Sequence, residues 1–472
     1  MSEFRTVAEI INDSGVSFGT SGARGLVEQL NDDVCAAFTV GFIESLKGTF
    51  NTQRVALSID RRPSSRQMAA ACAGAAEALG LQVEFFGVLP TPALALYSMG
   101  QEIPAIMITG SHIPFDRNGI KFYRPDGEIT KADELKIVHI NSKLPFYTPN
   151  LPVESKAAEL KYINRYLSYF PAGLLSGKRI GLYEHSAAGR DINTLILQKF
   201  GAEVISLGRT DSFVPIDTEA VSQEDQERGH LWSDKYQLDA IFSTDGDGDR
   251  PLVADENGEW LRGDLLGLIC AKELGIEALA IPVSCNSAIE LSGCFQKVLR
   301  TRIGSPYVIE GMQLLSENNK SVAGFEANGG FLTDDLPTRD ALLPVLALLS
   351  AAVRKKISVS DLFSSLPSRY TYSNRIQNID MVKVSDSIAS WQYDPLTLVK
   401  DVGLKSFGGV QAVDTTDGLR VVFGNDQIVH IRPSGNAPEL RCYTEASNRL
   451  AAIDTNKYVL SFLKPLFLKS FA

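Results

Sequence analysis

Apolar positions along the chain alternate between short β-branched runs and longer Ala- and Leu-rich segments of helical spacing, divided by Gly-, Ser- and Asn-containing turns. Three stretches repeat one layout of strand, polar turn, helix and second strand. The first predicts a strand over 55–59, N-cap oxygens from Ser64 and Ser65, a helix over 67–79, a left-handed stop at Gly80 and a strand over 82–86. The second runs from a strand at 179–183 through Ser186 and Gly189 into a helix ending at Phe200, where Gly201 precedes a strand at 203–207. The third leads from 278–283 through Asn286 and Ser287 to a strand near 298–302. The last hundred residues read differently. Strands at 411–415 and 419–423 flank a Thr416-Asp417-Gly418 turn, strands at 427–431 and 439–444 follow, and a helix closes an α+β module.

A chain of 472 residues predicts roughly three domains from length alone. The element pattern divides it into four: 1–150, 151–255, 256–368 and 369–472. Hydrophobic residues make up 44% and charged residues 22%, which excludes a fibrous or mainly disordered chain. The formal charge of −10 disfavours general attraction to nucleic acid or anionic lipid, so any anion must meet a local basic site. The six cysteines form no CxxC pair and read as buried thiols of a reducing compartment. The first twelve residues carry Glu3 and Glu9 and no basic segment followed by an apolar run, so no signal peptide is expected and the cytoplasm is the expected location. The apolar C-terminal stretch holds Lys464, Pro465 and Lys469 and reads as a docked helix, not a membrane span.

The sharpest chemical signal is Asp245-Gly246-Asp247-Gly248-Asp249-Arg250, which follows a strand-like segment at 238–242. Alternate carboxylates separated by glycines can converge on one hard cation such as Mg2+, whereas an acidic surface turn would hold three like charges without compensation. An EF-hand loop is excluded because Arg250 stands where its turn-forming glycine must be. Thr109-Gly110-Ser111-His112 follows a strand at 105–108 and precedes Asn118-Gly119-Ile120-Lys121. That placement suits Ser111 to be an exposed nucleophile or phosphate carrier; alone it is equally an ordinary Gly-Ser turn, and no hydrolase triad accompanies it. Arg432-Pro433-Ser434-Gly435-Asn436, continuing to Arg441, gathers donors suited to a phosphate cradle. Thr20-Ser21-Gly22-Ala23-Arg24-Gly25 has the same character more weakly. In Gly324-Phe325-Glu326-Ala327-Asn328-Gly329-Gly330, Glu326 and Asn328 stand two apart, placed to hydrogen-bond adjacent hydroxyls of a sugar.

Taken in order, these motifs resemble those of the α-D-phosphohexomutase superfamily over the whole chain: the Thr-Ser-Gly-x-Arg-Gly loop at 20–25, Asp60, Arg62, Ser64 and Ser65 of the Asp-x-Arg-x-Ser-Ser segment, Thr-Gly-Ser-His at 109–112, the metal loop at 245–250, and Arg-Pro-Ser-Gly at 432–435. Many members read Gly-Glu-x-Ser-Gly-His in the sugar loop. Here Asn328 replaces the Ser and Gly330 stands in place of the His; Asn436 and Ala437 replace frequent Thr and Glu, and Ile113 follows His112.

The resemblance implies an α/β fold of four domains around a central cleft, three of them related α/β domains with mixed sheets and the last α+β. It implies a 1-phosphate to 6-phosphate shift on a hexose, most readily mannose, through a phosphoserine at Ser111 and a hexose 1,6-bisphosphate that turns over in the cleft. Three aspartates and a dianionic phosphate sum to roughly five negative charges, so Mg2+ held by Asp245, Asp247 and Asp249 and touching the phosphoserine is required. Arg24 and Arg250 balance charge during transfer, His112 and Lys121 are acid/base candidates, and Arg432, Ser434, Gly435, Asn436 and Arg441 hold the phosphate that is not reacting. Glu326 and Asn328 bind the sugar. The expected partner is a small phosphosugar, with no nucleic acid and no membrane, in a monomer or weak homodimer. A phosphoglucomutase, a phosphoglucosamine mutase, a phosphatase and a non-catalytic phosphosugar-binding protein are the alternatives.

Overall fold

The computed structural model describes residues 5–19, 22–50, 52–434 and 439–468. The chain forms two compact units, one of residues 1–275 with 323–362 and one of 276–322 with 363–472. It is an α/β protein with three mixed-sheet α/β domains and a C-terminal antiparallel-sheet domain.

In the first unit, one sheet runs Ser17–Phe18, Ala23–Leu26, Arg117–Arg124, Ala105–Ile108, Arg54–Ile59, Gln82–Val88. Ala105–Ile108 is buried along its whole length; it pairs parallel with Arg54–Ile59 and antiparallel with Arg117–Arg124. The apolar β-branched and aromatic residues of these strands are covered by the helices Asp32–Ser45 and Ser65–Ala78, whose Phe38, Phe42 and Cys72 join one core. A second sheet repeats the arrangement in the order Pro251–Ala254, Ala240–Thr244, Arg179–Tyr183, Glu203–Leu207, again with an antiparallel return strand beside Ala240–Thr244. A third set places Phe331–Thr333 antiparallel between residues 323–325 and Leu336–Asp340.

The second unit holds the parallel pair Ala278–Pro282 and Lys297–Thr301, and an antiparallel sheet in the order Tyr370–Gln377, Glu439–Ala446, Ile428–Pro433, Leu419–Phe423, Val410–Asp414. Trp391 and the closing helix Arg449–Phe467 pack on the latter sheet. No helix among the described residues is long and apolar enough to cross a membrane.

Two local expectations differ from the structure. Ser64 and Ser65 make no cap bond to the helix Ser65–Ala78; the Ser65 hydroxyl instead donates to Asp60 Oδ1 at 2.6 Å, because a buried carboxylate demands donors more strongly than a helix end near solvent. All six cysteines are free, and five are buried as expected, but Cys294 is exposed in the turn after a short helix.

Candidate active site

Ser111 lies in the loop that joins Ala105–Ile108 to its return strand, with φ at +51°. A non-glycine residue in the left-handed region costs about 1–2 kcal/mol, so the surroundings must hold it. They do so from two sides. The Ser111 amide donates to Thr109 Oγ1 at 2.8 Å and the Gly110 amide to Asp60 Oδ2 at 3.3 Å. The Arg62 guanidinium donates to four carbonyls of the loop: Ser111 at 3.1 Å, Ile113 at 2.5 Å, and Pro114 and Arg117 at 2.8 Å. Arg62 pairs with Asp60 at 3.3 Å and lies 3.9 Å over the Phe213 ring. The sequence suggested an exposed hydroxyl. Ser111 is only 1% exposed, because its loop folds down onto the acidic loop and the Oγ donates to Asp245 Oδ2 at 2.6 Å.

The acidic loop follows Ala240–Thr244 and is closed by a bond from the Asp245 amide to the Arg250 carbonyl. Gly246 is required by close approach, since a Cβ there would stand 2.8 Å from the Ser111 carbonyl oxygen. Asp245, Asp247 and Asp249 are buried, with ligand oxygens within 4.8 Å of one another. Asp245 Oδ1 accepts from the Asp249 and Arg250 amides at 3.2 Å. Asp247 Oδ2 accepts from Thr91 Oγ1 and Lys121 Nζ, both at 2.6 Å, and Asp249 Oδ2 accepts from Lys121 at 2.8 Å and from Arg339 Nε and Nη2 at 3.1 and 2.8 Å.

Asp247 Oδ1 and Asp249 Oδ1 are buried without a hydrogen-bond partner. Two orphaned carboxylate oxygens beside a third acid form the donor set of a hard divalent cation, so these residues fit a metal site. Burial, then repulsion from Asp247 and Asp249, pushes the Asp245 carboxyl well up. Burial works the same way on Asp247 and Asp249 but is outweighed: by Lys121 and Thr91 for Asp247, and by Arg339, Lys121 and Arg250 for Asp249.

His112 Nδ1 lies 3.3 Å from Ser111 Oγ and 3.1 Å from Arg250 Nη1. Burial, with Arg250 and Arg24 nearby, lowers its imidazole to about 3, so the ring is neutral at pH 7 and its Nδ1 is an acceptor toward Arg250. Lys121 is driven the other way. Burial opposes its charge, but Asp247 and Asp249 overcome that and keep the ammonium protonated, so it can donate a proton or a hydrogen bond but does not stand ready to accept one. Arg24, on Ala23–Leu26 opposite Gly119, is lowered to about 10 by burial and by its neighbours Arg250 and Arg339.

The Glu326–Gly330 loop begins where residues 323–325 end. Glu326 and Asn328 are both buried. Asn328 Oδ1 is taken by the Gly330 amide at 2.9 Å and its Nδ2 faces Glu326 Oε2 at 3.4 Å, so in this conformation Asn328 braces its own loop. Arg339, Thr91 and Phe213 were absent from the sequence reading. Arg339 carried a signal, because the chain places Arg339 and Asp340 directly before the apolar helix Leu342–Lys355, where charges must be buried and therefore paired.

In the second unit, Arg432 is the penultimate residue of the strand Ile428–Pro433, opposite Arg441, with its Nε 3.3 Å from Asp417 Oδ1, and the Ser434 amide donates to the Glu439 carbonyl at 2.8 Å. Gly435 and Asn436, like Thr20 and Ser21, lie outside the described residues.

Three parts of the chain match models of the phosphoglucomutase/phosphomannomutase family: α/β/α domain I over residues 15–148, α/β/α domain III over 262–370 and the C-terminal domain over 382–455. A phosphomannomutase of Salmonella muenchen is 52% identical over 470 residues, covering 97% of each chain. A phosphomannomutase of Sinorhizobium fredii is 42% identical, covering 93% of this chain and 96% of the relative. The crystal structure of a phosphoglucomutase/phosphomannomutase family protein from Burkholderia thailandensis shares the fold with a TM-score of 0.75 at 19% identity, over 95% of this chain and 97% of that one. With its buried triple-aspartate metal site beside Ser111, the chain belongs to the phosphoglucomutase/phosphomannomutase family of the α-D-phosphohexomutase superfamily.

Proposed function

We propose that this chain is a phosphomannomutase that interconverts mannose 1-phosphate and mannose 6-phosphate, with Ser111 as phosphoryl carrier and a hexose 1,6-bisphosphate as intermediate. The observation that carries the reading is the 2.6 Å bond between Ser111 Oγ and an aspartate of the metal cluster, in a chain 52% identical to a phosphomannomutase. Mg2+ is the proposed cation, held by Asp245, Asp247, Asp249 and the phosphorylated Ser111; when bound it supplies positive charge beside the phosphoryl oxygens.

The chain's own groups account for the rest. The Arg62 clamp fixes the Ser111 backbone, which orients Oγ toward the acidic loop. Arg250 and Arg24 supply donors and positive charge as a phosphoryl group changes hands. His112, whose Nδ1 lies 3.3 Å from Oγ, and Lys121 are the acid/base candidates, and the charge kept on Lys121 suits it to donate. Arg432, Ser434, Gly435, Asn436 and Arg441 are assigned to the non-reacting phosphate. Glu326 and Asn328 are assigned to the 3- and 4-hydroxyls. Those hydroxyls are oriented alike in glucose and mannose, so glucose 1-phosphate is also turned over. The domains are placed at 1–150, 151–255, 256–368 and 369–472, and the protein works in the cytoplasm as a monomer or weak homodimer.

The test is a coupled assay on mannose, glucose and glucosamine 1-phosphates with Mg2+ and a hexose 1,6-bisphosphate, together with intact-mass measurement of the protein. Conversion of mannose 1-phosphate and a phosphate on Ser111 are expected, and Ser111→Ala removes both. A clear preference for the amino sugar would overturn the substrate, and full activity in Ser111→Ala would overturn the mechanism.

A further inference from the structure

Arg339 sits on the strand Leu336–Asp340 and is only 2% exposed. Its guanidinium reaches acids on two different loops, Asp249 Oδ2 through Nε and Nη2 and Glu326 Oε2 through Nη1 at 3.0 Å. Two buried carboxylates that would otherwise repel are thereby joined by one planar fork, a geometry that an ammonium cannot reproduce.

The stem of Arg339 runs across Gly330. A Cβ built at Gly330 would stand 2.7, 2.8 and 2.9 Å from Arg339 Cδ, Cγ and Cβ, so no side chain fits at 330 while Arg339 holds this position. The strand end itself is pinned. Asp340 accepts from Tyr162 Oη at 3.0 Å, from the Tyr166 hydroxyl and from the Leu342 amide at 3.1 Å. Arg339 is therefore carried by a fixed strand, and both acids are referred to it.

We propose that Arg339 is a positioning residue that sets the sugar-loop acid Glu326 against the metal loop, and that it and Gly330 act as one unit in determining sugar-phosphate affinity. The inference rests on reading these two loops as sugar- and metal-binding. It assigns to Arg339 the space that a side chain at Gly330 would otherwise fill. Loss of the guanidinium frees Glu326 but also removes a competing cation from Asp249, so sugar affinity and metal affinity move in different directions. A collapse of the site lowers both.

The experiment measures equilibrium binding, by calorimetry for mannose 1-phosphate and by electron paramagnetic resonance for Mn2+ in place of Mg2+, on the full chain and on Arg339→Met and Gly330→Ala. Arg339→Met keeps the stem and removes the charge; Gly330→Ala keeps the charge and displaces the stem. In both, mannose 1-phosphate binding weakens about tenfold, as for loss of a charge-assisted bond. Mn2+ binds Arg339→Met at least as tightly as the native chain and binds Gly330→Ala with unchanged affinity. Unchanged sugar affinity in both variants, or a tenfold loss of Mn2+ affinity in Arg339→Met, overturns the proposal. Should Arg339→Met fail to fold, Gly330→Ala decides the matter alone. Neither readout needs turnover. A native chain that binds mannose 1-phosphate without converting it counts against the mutase reading and leaves the role of Arg339 intact.

Discussion

Replacing Arg62 by Met should damage the protein twice, once in stability and once in phosphoryl transfer, and the structure sets the size of each. Arg62 is 3% exposed and donates to four carbonyls of the Ser111 loop while pairing with buried Asp60. Charge-assisted bonds contribute about 1.5–3 kcal/mol each, but they are not additive here. Pro114 and Arg117 are exposed, so their carbonyls turn to water once released, whereas Ser111 is buried and keeps its deficit. Asp60 loses its partner, which for a buried pair costs about 3–5 kcal/mol. Its carboxyl is already pushed upward by burial, with Ser65 and Arg62 opposing, so protonation of Asp60 relieves part of that cost. A net loss of about 4 kcal/mol lowers the melting temperature by roughly 6 °C in a unit of this size.

The functional loss follows from the backbone. Ser111 at φ +51° is held by bonds that Met cannot make, and an unclamped loop relaxes toward ordinary conformations that turn Oγ away from Asp245. Displacement of a reacting atom by about 1 Å costs on the order of 100-fold in rate. The assay mixes dephosphorylated protein with glucose 1,6-bisphosphate and follows the gain of phosphate on Ser111 by intact mass, beside thermal unfolding of the same samples. Arg62→Lys, which keeps a charge for Asp60 but cannot reach four carbonyls, should recover more stability than rate. A melting temperature within about 2 °C of native in Arg62→Met, or a large drop with an unchanged phosphorylation rate, would refute the clamp.

Exhaustive chelation should abolish mutase turnover and Mg2+ restore it, since Asp247 Oδ1 and Asp249 Oδ1 are buried without a hydrogen-bond partner; turnover that survives metal removal contradicts the site. Arg432→Ala should raise KM more than it lowers kcat, as expected for a group that grips a phosphate equally in ground and transition states, and an unchanged KM removes Arg432 from the site. Buried His185 and His430, which donate to the Thr244 and Asp417 carbonyls, are each lowered to about 4 by burial. Unfolded imidazole protonates near pH 6.5, so their contribution is fully present above that pH and is lost as the pH falls toward 4, by up to about 3 kcal/mol each. Denaturant titrations at pH 7, 5.5 and 4.5 check this, with a flat profile as the refuting result.

How much of this was legible in the sequence depended on whether a residue's partner lay nearby in the chain. The strands at 105–108, 179–183, 203–207 and 419–423 are where their apolar runs placed them, and the acidic loop announced a cation because its three carboxylates alternate within one short run of the chain. Arg339 was hidden because its partners lie 90 and 13 residues away. Phe213 was hidden because an aromatic in a polar loop is ordinary until a guanidinium is found stacked on it. Ser64 and Ser65 differ from their local cap pattern because the buried carboxylate of Asp60, five residues before Ser65, outcompetes the helix end for the Ser65 hydroxyl.

One arrangement explains how these loops hold so many buried charges. Ser111, the aspartate cluster and Glu326 each follow a buried outgoing strand, and the chain then returns antiparallel beside that strand. The acids and the serine come from the loops. The cations come from the return side: Lys121 on Arg117–Arg124, Arg250 immediately before Pro251–Ala254, and Arg339 on Leu336–Asp340 next to Phe331–Thr333. Positive charge is thereby carried on or beside hydrogen-bonded strands, whereas negative charge sits on the loops between them. For the proposed phosphoryl transfer, a site built this way would have its cations oriented before any phosphoryl group arrives, which is the condition under which electrostatic stabilisation of a transferring group costs least in reorganisation. On the proposed reading, Asn328 and Gly330 shape the sugar contact from the loop, whereas Lys121 and Arg339 act from strands.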